Sequence, residues 1–222
     1  MSARDAVLGK IRRSLGVTGN EVERNATVDD RLRRAPKGII PTRGQLAPAE
    51  RLALFAKMAE EVSASVARIA REDDLPEAVA DYLRSRNLPA ALKMGDDPLL
   101  ASLSWKRTSI EVKRGASDGE DAVGLSHAFA GVAESGTLML ASGGDNPTTL
   151  NFLPETHIVV LKADDVVGDY EAAWERLRAI VGKGQMPRTV NMITGPSRSG
   201  DIEQTILLGA HGPRRLHIVM VG

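Results

Sequence analysis

Residues 157–162, His-Ile-Val-Val-Leu-Lys, form a short apolar run with strand character. Val166, Val167, Tyr170, Trp174, Leu177 and Ile180 then recur at helical spacing, and a second run follows at 188–194, Arg-Thr-Val-Asn-Met-Ile-Thr. Strand, helix and strand of these lengths are the signature of a βαβ unit. They predict an α/β fold: an open, mixed, mostly parallel sheet with helices on both faces. Moving outward, short apolar runs at 110–112, 131–133, 137–141 and 216–221 alternate with glycine-rich turns and supply further strands.

The chain before residue 108 has a different texture. Pro48 suits a first helical turn. Leu52, Phe55, Met58, Val62, Val66 and Ile69 follow at helical spacing and predict one long amphipathic helix. Residues 76–86 predict a second helix, packing through Val79, Tyr82 and Leu83, and 89–94 a short buried strand. At the N-terminus, Ser2 with Asp5 three residues on is a cap signal. It opens a helix to Leu15 that Gly16 ends. Residues 17–47 carry few apolar side chains and read as a flexible arm or strap. The domain division expected is therefore an N-terminal helix and arm, 1–47, and an α/β domain, 48–222. Basic residues outnumber acidic ones nine to five across 1–37. That excess fits either a solvated arm or a docking segment.

Composition narrows the function. The 222 residues carry 29 basic and 29 acidic side chains, so no global basic footprint for nucleic acid exists. Seven aromatic rings leave little material for a base-stacking platform. No stretch approaches the roughly 20 apolar residues of a membrane helix, and the first residues lack an apolar signal core. The expectation is a cytoplasmic protein with no membrane insertion and no nucleic-acid partner. With no cysteine, the chain has no thiolate nucleophile and no thiolate ligand for zinc or an iron–sulfur cluster.

Three segments combine polar chemistry with glycine. The first is Ile193-Thr-Gly195-Pro-Ser197-Arg198-Ser-Gly-Asp201-Ile-Glu203, directly after a strand-like run. Small residues and backbone N–H groups at a sheet's carboxyl edge suit a ligand. If residues 197–201 open a helical turn, its free N–H groups and the Arg198 guanidinium make an anion site. The alternative is a capped turn in which Arg198 pairs with Glu203. The lysine and glycine spacing of a Walker loop are missing. The second is Ala133-Glu134-Ser135-Gly136-Thr137, between two apolar runs. Here Glu134 is either a buried carboxylate suited to proton transfer or attack, or a water-facing hairpin residue beside a turn glycine. The third is Leu208-Gly-Ala-His211-Gly212-Pro. His211 titrates near neutral pH on flexible backbone and fits either acid–base work or a loop hydrogen bond. The turn Gly143-Gly-Asp-Asn-Pro147 has polar groups able to line a pocket. His127, His157 and His217 lack the spacing of a metal site, so no metal is expected. No Gly-x-Ser-x-Gly elbow is present.

Taken in order, Ala-Glu-Ser-Gly-Thr at 133–137, Leu-Pro-Glu-Thr-His-Ile-Val-Val at 153–160, Ile-Thr-Gly-Pro-Ser-Arg-Ser-Gly-Asp-Ile-Glu at 193–203 and Gly-Ala-His-Gly-Pro at 209–213 resemble the lactate utilization protein C family of LUD-domain proteins. The resemblance is strongest over 120–222. It implies a fold akin to the NagB/RpiA/CoA-transferase-like group. It also implies a part in oxidising L-lactate to pyruvate beside two iron–sulfur proteins, which would carry the clusters while this chain holds no cofactor. Carried onto these positions, it gives Glu134 and His211 a role in managing a proton. Ser135, Thr137, Gly195, Ser197, Arg198, Asp201, Glu203 and Gly212 become the walls of a small-carboxylate or partner site. Two alternatives stand beside it: a scaffold that docks partners through 1–47 and the 48–70 helix, and a CoA- or acyl-transferring enzyme with Glu134 as nucleophile. The latter rests on fold analogy alone.

Overall fold

The computed structural model describes residues 2–182, 184–200 and 207–222. The chain forms two compact units, Met1–Ile39 and Ile40–Gly222. In the first, α1 (Ala3–Leu15) starts as the sequence predicts. Ser2 Oγ accepts the Asp5 N–H, and the Asp5 carboxylate accepts the Ser2 N–H at 3.0 Å. Gly16 ends it in the left-handed region. The strap expected at 17–47 contains a second helix, α2 (Val22–Arg34). Its sequence has no apolar stripe, and none of its residues is buried. Local charge supports it instead. The Glu21 carboxylate accepts the N–H groups of Thr18 and Gly19, which holds its pKa down at about 2. Asp30 pairs with Arg33 at 3.1 Å and with Arg34 one turn on.

The second unit begins its regular structure with α3 (Pro48–Glu61). The long helix expected to reach Ile69 stops here. Ser63 takes φ 73°, and the chain re-emerges as strand β1 (Ser65–Ile69). Val66 and Ile69 lie at helical spacing by coincidence; pairing of Val66 with Ile218 decides the matter. Then come α4 (Leu75–Ser85), β2 (Ala91–Met94), α5 (Pro98–Ser102), β3 (Glu111–Arg114), β4 (Val123–His127), β5 (Ala130–Val132), β6 (Thr137–Ala141), β7 (Thr156–Lys162), β8 (Val166–Val167), α6 (Tyr170–Val181), β9 (Val190–Ile193), β10 (Arg198–Ser199), β11 (Leu207–Leu208) and β12 (Arg215–Val221).

Six strands make one parallel sheet in the order β1-β12-β7-β4-β2-β3. Alternation along β7 explains its layers. Ile158 and Val160 face a core with Val79 and Leu83 of α4 and Leu100 of α5. Val159 and Leu161 face Phe55 and Ala59 of α3, together with Leu138 and Leu140. Those two leucines belong to a second sheet, β8-β5-β6-β9, whose other face packs Met139 and Val132 against Ala173, Tyr170 and Trp174 of α6. The fold is thus α/β, with a six-stranded parallel sheet flanked by helices.

One element of the sequence reading changes. β7, α6 and β9 do not form a βαβ unit. β9 pairs antiparallel with β6 in the smaller sheet, with Met139 opposite Met192. The helical spacing and strand lengths were right; partner choice is a tertiary decision that neither reports.

Candidate functional site

The starts of β7 and β12 lie side by side, with Leu216 opposite His157. A one-turn 3₁₀ helix, Thr148–Asn151, leads into β7 and brings Asn151 and Phe152 to the same end. The chain leaving β9 arrives there as Thr194-Gly195-Pro196-Ser197-Arg198, and the turn before β12 brings His211-Gly212-Pro213. Together these line an open cavity of about 270 Å³. It sits at the amino ends of the parallel strands. The sequence reading placed the site at the carboxyl edge, because it took β9 for a strand of that sheet; with β9 in the second sheet, its outgoing loop reaches the opposite end.

Backbone and hydroxyl bonds hold the two loops together. Ser197 N–H donates to Pro213 O at 2.9 Å, and Gly209 N–H donates to Ser197 O at 2.9 Å. Ser197 Oγ accepts the His211 N–H at 3.3 Å. Gly195 has φ +76°, and a Cβ there would lie 2.4 Å from Val62 O. Gly195, Ser197, Arg198, His211 and Gly212 all line the cavity. The expected helical turn at 197–201 is absent over its described part, since Arg198–Ser199 is a strand paired with Leu207–Leu208. Asp201 and Glu203 lie outside the described residues.

The Ala-Glu-Ser-Gly-Thr turn is placed differently. It joins β5 to β6 against the start of α6. Glu134 is buried, its N–H donates to Gly168 O, and its Oε1 accepts the Tyr170 N–H at 3.3 Å. Asp169, the α6 N-cap, accepts the Ala172 N–H at 2.9 Å and a Gln45 amide bond at 2.7 Å. Glu134 is thus occupied at a helix start, and neither it nor Ser135 lines the cavity. A hydroxyl chain connects the two places. Tyr170 Oη lies 2.9 Å from Ser135 Oγ and 2.8 Å from Thr137 Oγ1. Thr137 Oγ1 lies 2.6 Å from Thr194 Oγ1, and Thr194 is part of the cavity wall.

Two wall residues escaped the sequence reading. His157 is fully buried. Its Nε2 lies 3.0 Å from Ser126 Oγ, which in turn lies 3.1 Å from Asn151 Oδ1. Burial pulls the His157 pKa down to about 3. His157 Nδ1 and Asn151 Nδ2 have no hydrogen-bond partner. A histidine inside an otherwise apolar strand run was the available signal.

The carboxyl edge holds a different pair. The strand order reverses between β2 and β4, and at their ends His127 Nδ1 lies 3.1 Å from Asp97 Oδ2. Asp97 Oδ1 accepts the Leu100 N–H at 3.0 Å. Burial pushes the Asp97 carboxyl up, but the bonds from His127 and Leu100 outweigh it and hold the pKa below its usual value. Among the described residues no three His, Asp or Glu side chains group as metal ligands, and no helix is long and apolar enough to cross a membrane.

A family model described as the LUD domain matches residues 52–221. Lactate utilization protein C of Geobacillus sp. (strain WCH70) is 36% identical over 100 residues, 45% of this chain and 42% of that protein. Lactate utilization protein C of Bacillus subtilis (strain 168) is 34% identical over 100 residues, with the same shares covered. The match thus spans about two-fifths of these relatives' length. The crystal structure of a DUF162 family protein from Deinococcus radiodurans superposes with a TM-score of 0.58 at 24% identity, covering 80% of this chain and 99% of that one. It supports the fold.

Proposed function

The chain belongs to the LUD domain family, and from that membership we propose that it is a subunit of a system that oxidises L-lactate to pyruvate, acting with iron–sulfur partner proteins. The observation that carries the proposal at the level of this chain is the cavity between the 193–198 and 211–213 loops. Arg198 brings a guanidinium to its wall, and no ion pair of Arg198 occurs among the described residues. A small carboxylate is the natural complement. A charge-assisted contact of this kind contributes roughly 1.5–3 kcal/mol. His211, whose N–H donates to Ser197 Oγ, brings an imidazole to the same wall. The acyl-transfer alternative draws less support, because Glu134 is buried against the start of α6 and stands off the cavity wall.

The test is L-lactate-dependent dye reduction by the chain alone, by the iron–sulfur proteins alone and by all together. Activity is expected only in the full mixture, and Arg198→Ala should lower it on the order of 10-fold or more. Full activity without this chain would remove it from the reaction.

A further inference from the structure

The first unit, Met1–Ile39, has no core of its own. None of its described residues is buried. Helices of 13 residues, such as α1 and α2, are marginal by themselves in water. A piece of fewer than about 40 residues usually needs a metal, a disulfide or association to hold its fold. The unit is nevertheless rich in apolar side chains. On α1, Val7, Ile11 and Leu15 recur every four residues and share one face, and they are 59%, 48% and 65% exposed. Val28 and Leu32, one turn apart on α2, are exposed as well. These helices are completed by burial against another surface.

Charge indicates which surface. The unit carries nine basic and five acidic side chains, while residues 40–222 carry 20 basic and 24 acidic. On α1, Arg4, Lys10, Arg12 and Arg13 stand against one acid, Asp5, which the Ser2 cap occupies. The acidic excess of the second unit is concentrated at one edge of its large sheet. There β1 is the outermost strand, and the stretch 48–85, which runs through α3, β1 and α4, holds eight acidic and five basic residues. Glu50 and Glu60 on α3 are exposed and make no ion pair among the described residues. Beside them Ala49 and Ala53, one turn apart, and Leu46 just before the helix are exposed and form a shallow apolar strip. This face offers what α1 lacks: apolar contact ringed by negative charge.

Two other coverings fit less well. Pairing of first units with each other brings like charges together. An anionic lipid surface would repel Glu23, Asp29 and Asp30 of α2, and no aromatic ring precedes Phe55 to seat at a membrane interface.

We propose that the first unit of one copy docks on the outer face of α3 in a second copy, the apolar face of α1 on the alanine strip and its cations beside Glu50 and Glu60. Exchange in both directions closes a two-fold dimer.

The test is sedimentation of the full chain and of variants at exposed positions, which the fold tolerates. A dimer is expected, weakening as salt rises from about 50 to 500 mM. Ile11→Gln should weaken it roughly 10-fold. Arg12→Glu with Arg13→Glu, and separately Glu50→Lys with Glu60→Lys, should each weaken it on the order of 10-fold or more. An equimolar mixture of those two double variants should regain the original association within about threefold, because each first unit then meets opposite charge on the other copy's α3. A chain still monomeric at about 1 mM overturns the inference. A dimer that Glu50→Lys with Glu60→Lys leaves unchanged overturns it too, since the contact then lies off α3. Binding to phosphatidylglycerol vesicles by a chain that does not dimerise overturns it in favour of a lipid surface.

Discussion

Lowering the pH from 7 to 4.5 is expected to remove on the order of 5 kcal/mol of stability, with unfolding taking up nearly two protons at the steepest point. Two buried histidines are responsible. His157 is held near pKa 3 by burial. His217 is held near 4, by burial first and by the Arg86 charge as well. Its ring stacks on Tyr82 with centroids 3.8 Å apart, and its Nδ1 meets Ser65 Oγ at 2.8 Å. In the unfolded chain both return to about 6.5. Between those values and 6.5 the unfolded state binds more protons than the folded one. The contribution is therefore complete above pH 6.5 and disappears as the pH falls toward 4 and 3. Asp165 runs the other way: burial raises its pKa, so acid relieves part of its cost. Urea midpoints across this range give the slope. His217→Gln should flatten it by about one proton. A stability flat between pH 7 and 4.5 would show that neither histidine is held neutral.

Replacing Gly136 by alanine is expected to cost about 2–5 kcal/mol. Gly136 turns the chain between β5 and β6 at φ +66°. A non-glycine residue there costs roughly 1–2 kcal/mol. A Cβ would also stand 2.4 Å from Ala59 N and 2.6 Å from Met58 C. Those are backbone atoms of α3, so no rotamer change clears them, and overpacking adds about 1–3 kcal/mol. Gly144 makes the control. A Cβ there meets nothing within 4 Å, so Gly144→Ala should stay within about 0.5 kcal/mol of wild type. If Gly136→Ala were as mild, the close approach of this turn to α3 would be refuted. The prediction bears on function as well. The glycine of the Ala-Glu-Ser-Gly-Thr motif is a packing requirement between the hairpin and α3, and the motif reaches the cavity only through the Thr137–Thr194 hydroxyl bond.

Periodicity carried most of the fold. β6, β7, β12 and α4 stand where apolar spacing puts them, because each is decided by burial of its own side chains. The failures have physical causes. Apolar spacing alone runs β1 into α3, because Val62, Val66 and Ile69 recur at helical intervals; in the strand Val66 and Ile69 face opposite cores, and only pairing with β12 reveals it. β4 was missed: Gly124 interrupts a five-residue strand, and a Cβ there would lie 2.7 Å from Leu150 O. α2 was missed because charge pairs, rather than an apolar stripe, support it. At the site, the loop residues Gly195, Ser197, Arg198, His211 and Gly212 were legible as glycine-rich polar turns, and the structure gathers them at one cavity. His157 and Asn151 were not. Both reach the wall only because neighbours distant in sequence pack around them.

The central claim is that the ligand site lies at the amino ends of β7 and β12, on the loops carrying Ser197, Arg198 and Gly212. Mapping of amide chemical-shift changes on the full chain titrated with L-lactate tests it most directly. The account predicts the largest shifts at Thr194, Gly195, Ser197, Arg198 and Gly212, all lost in Arg198→Ala. Shifts concentrated instead at Gly95, His127 and Ala163 would place the ligand at the carboxyl edge, beside the Asp97–His127 pair, and would contradict it.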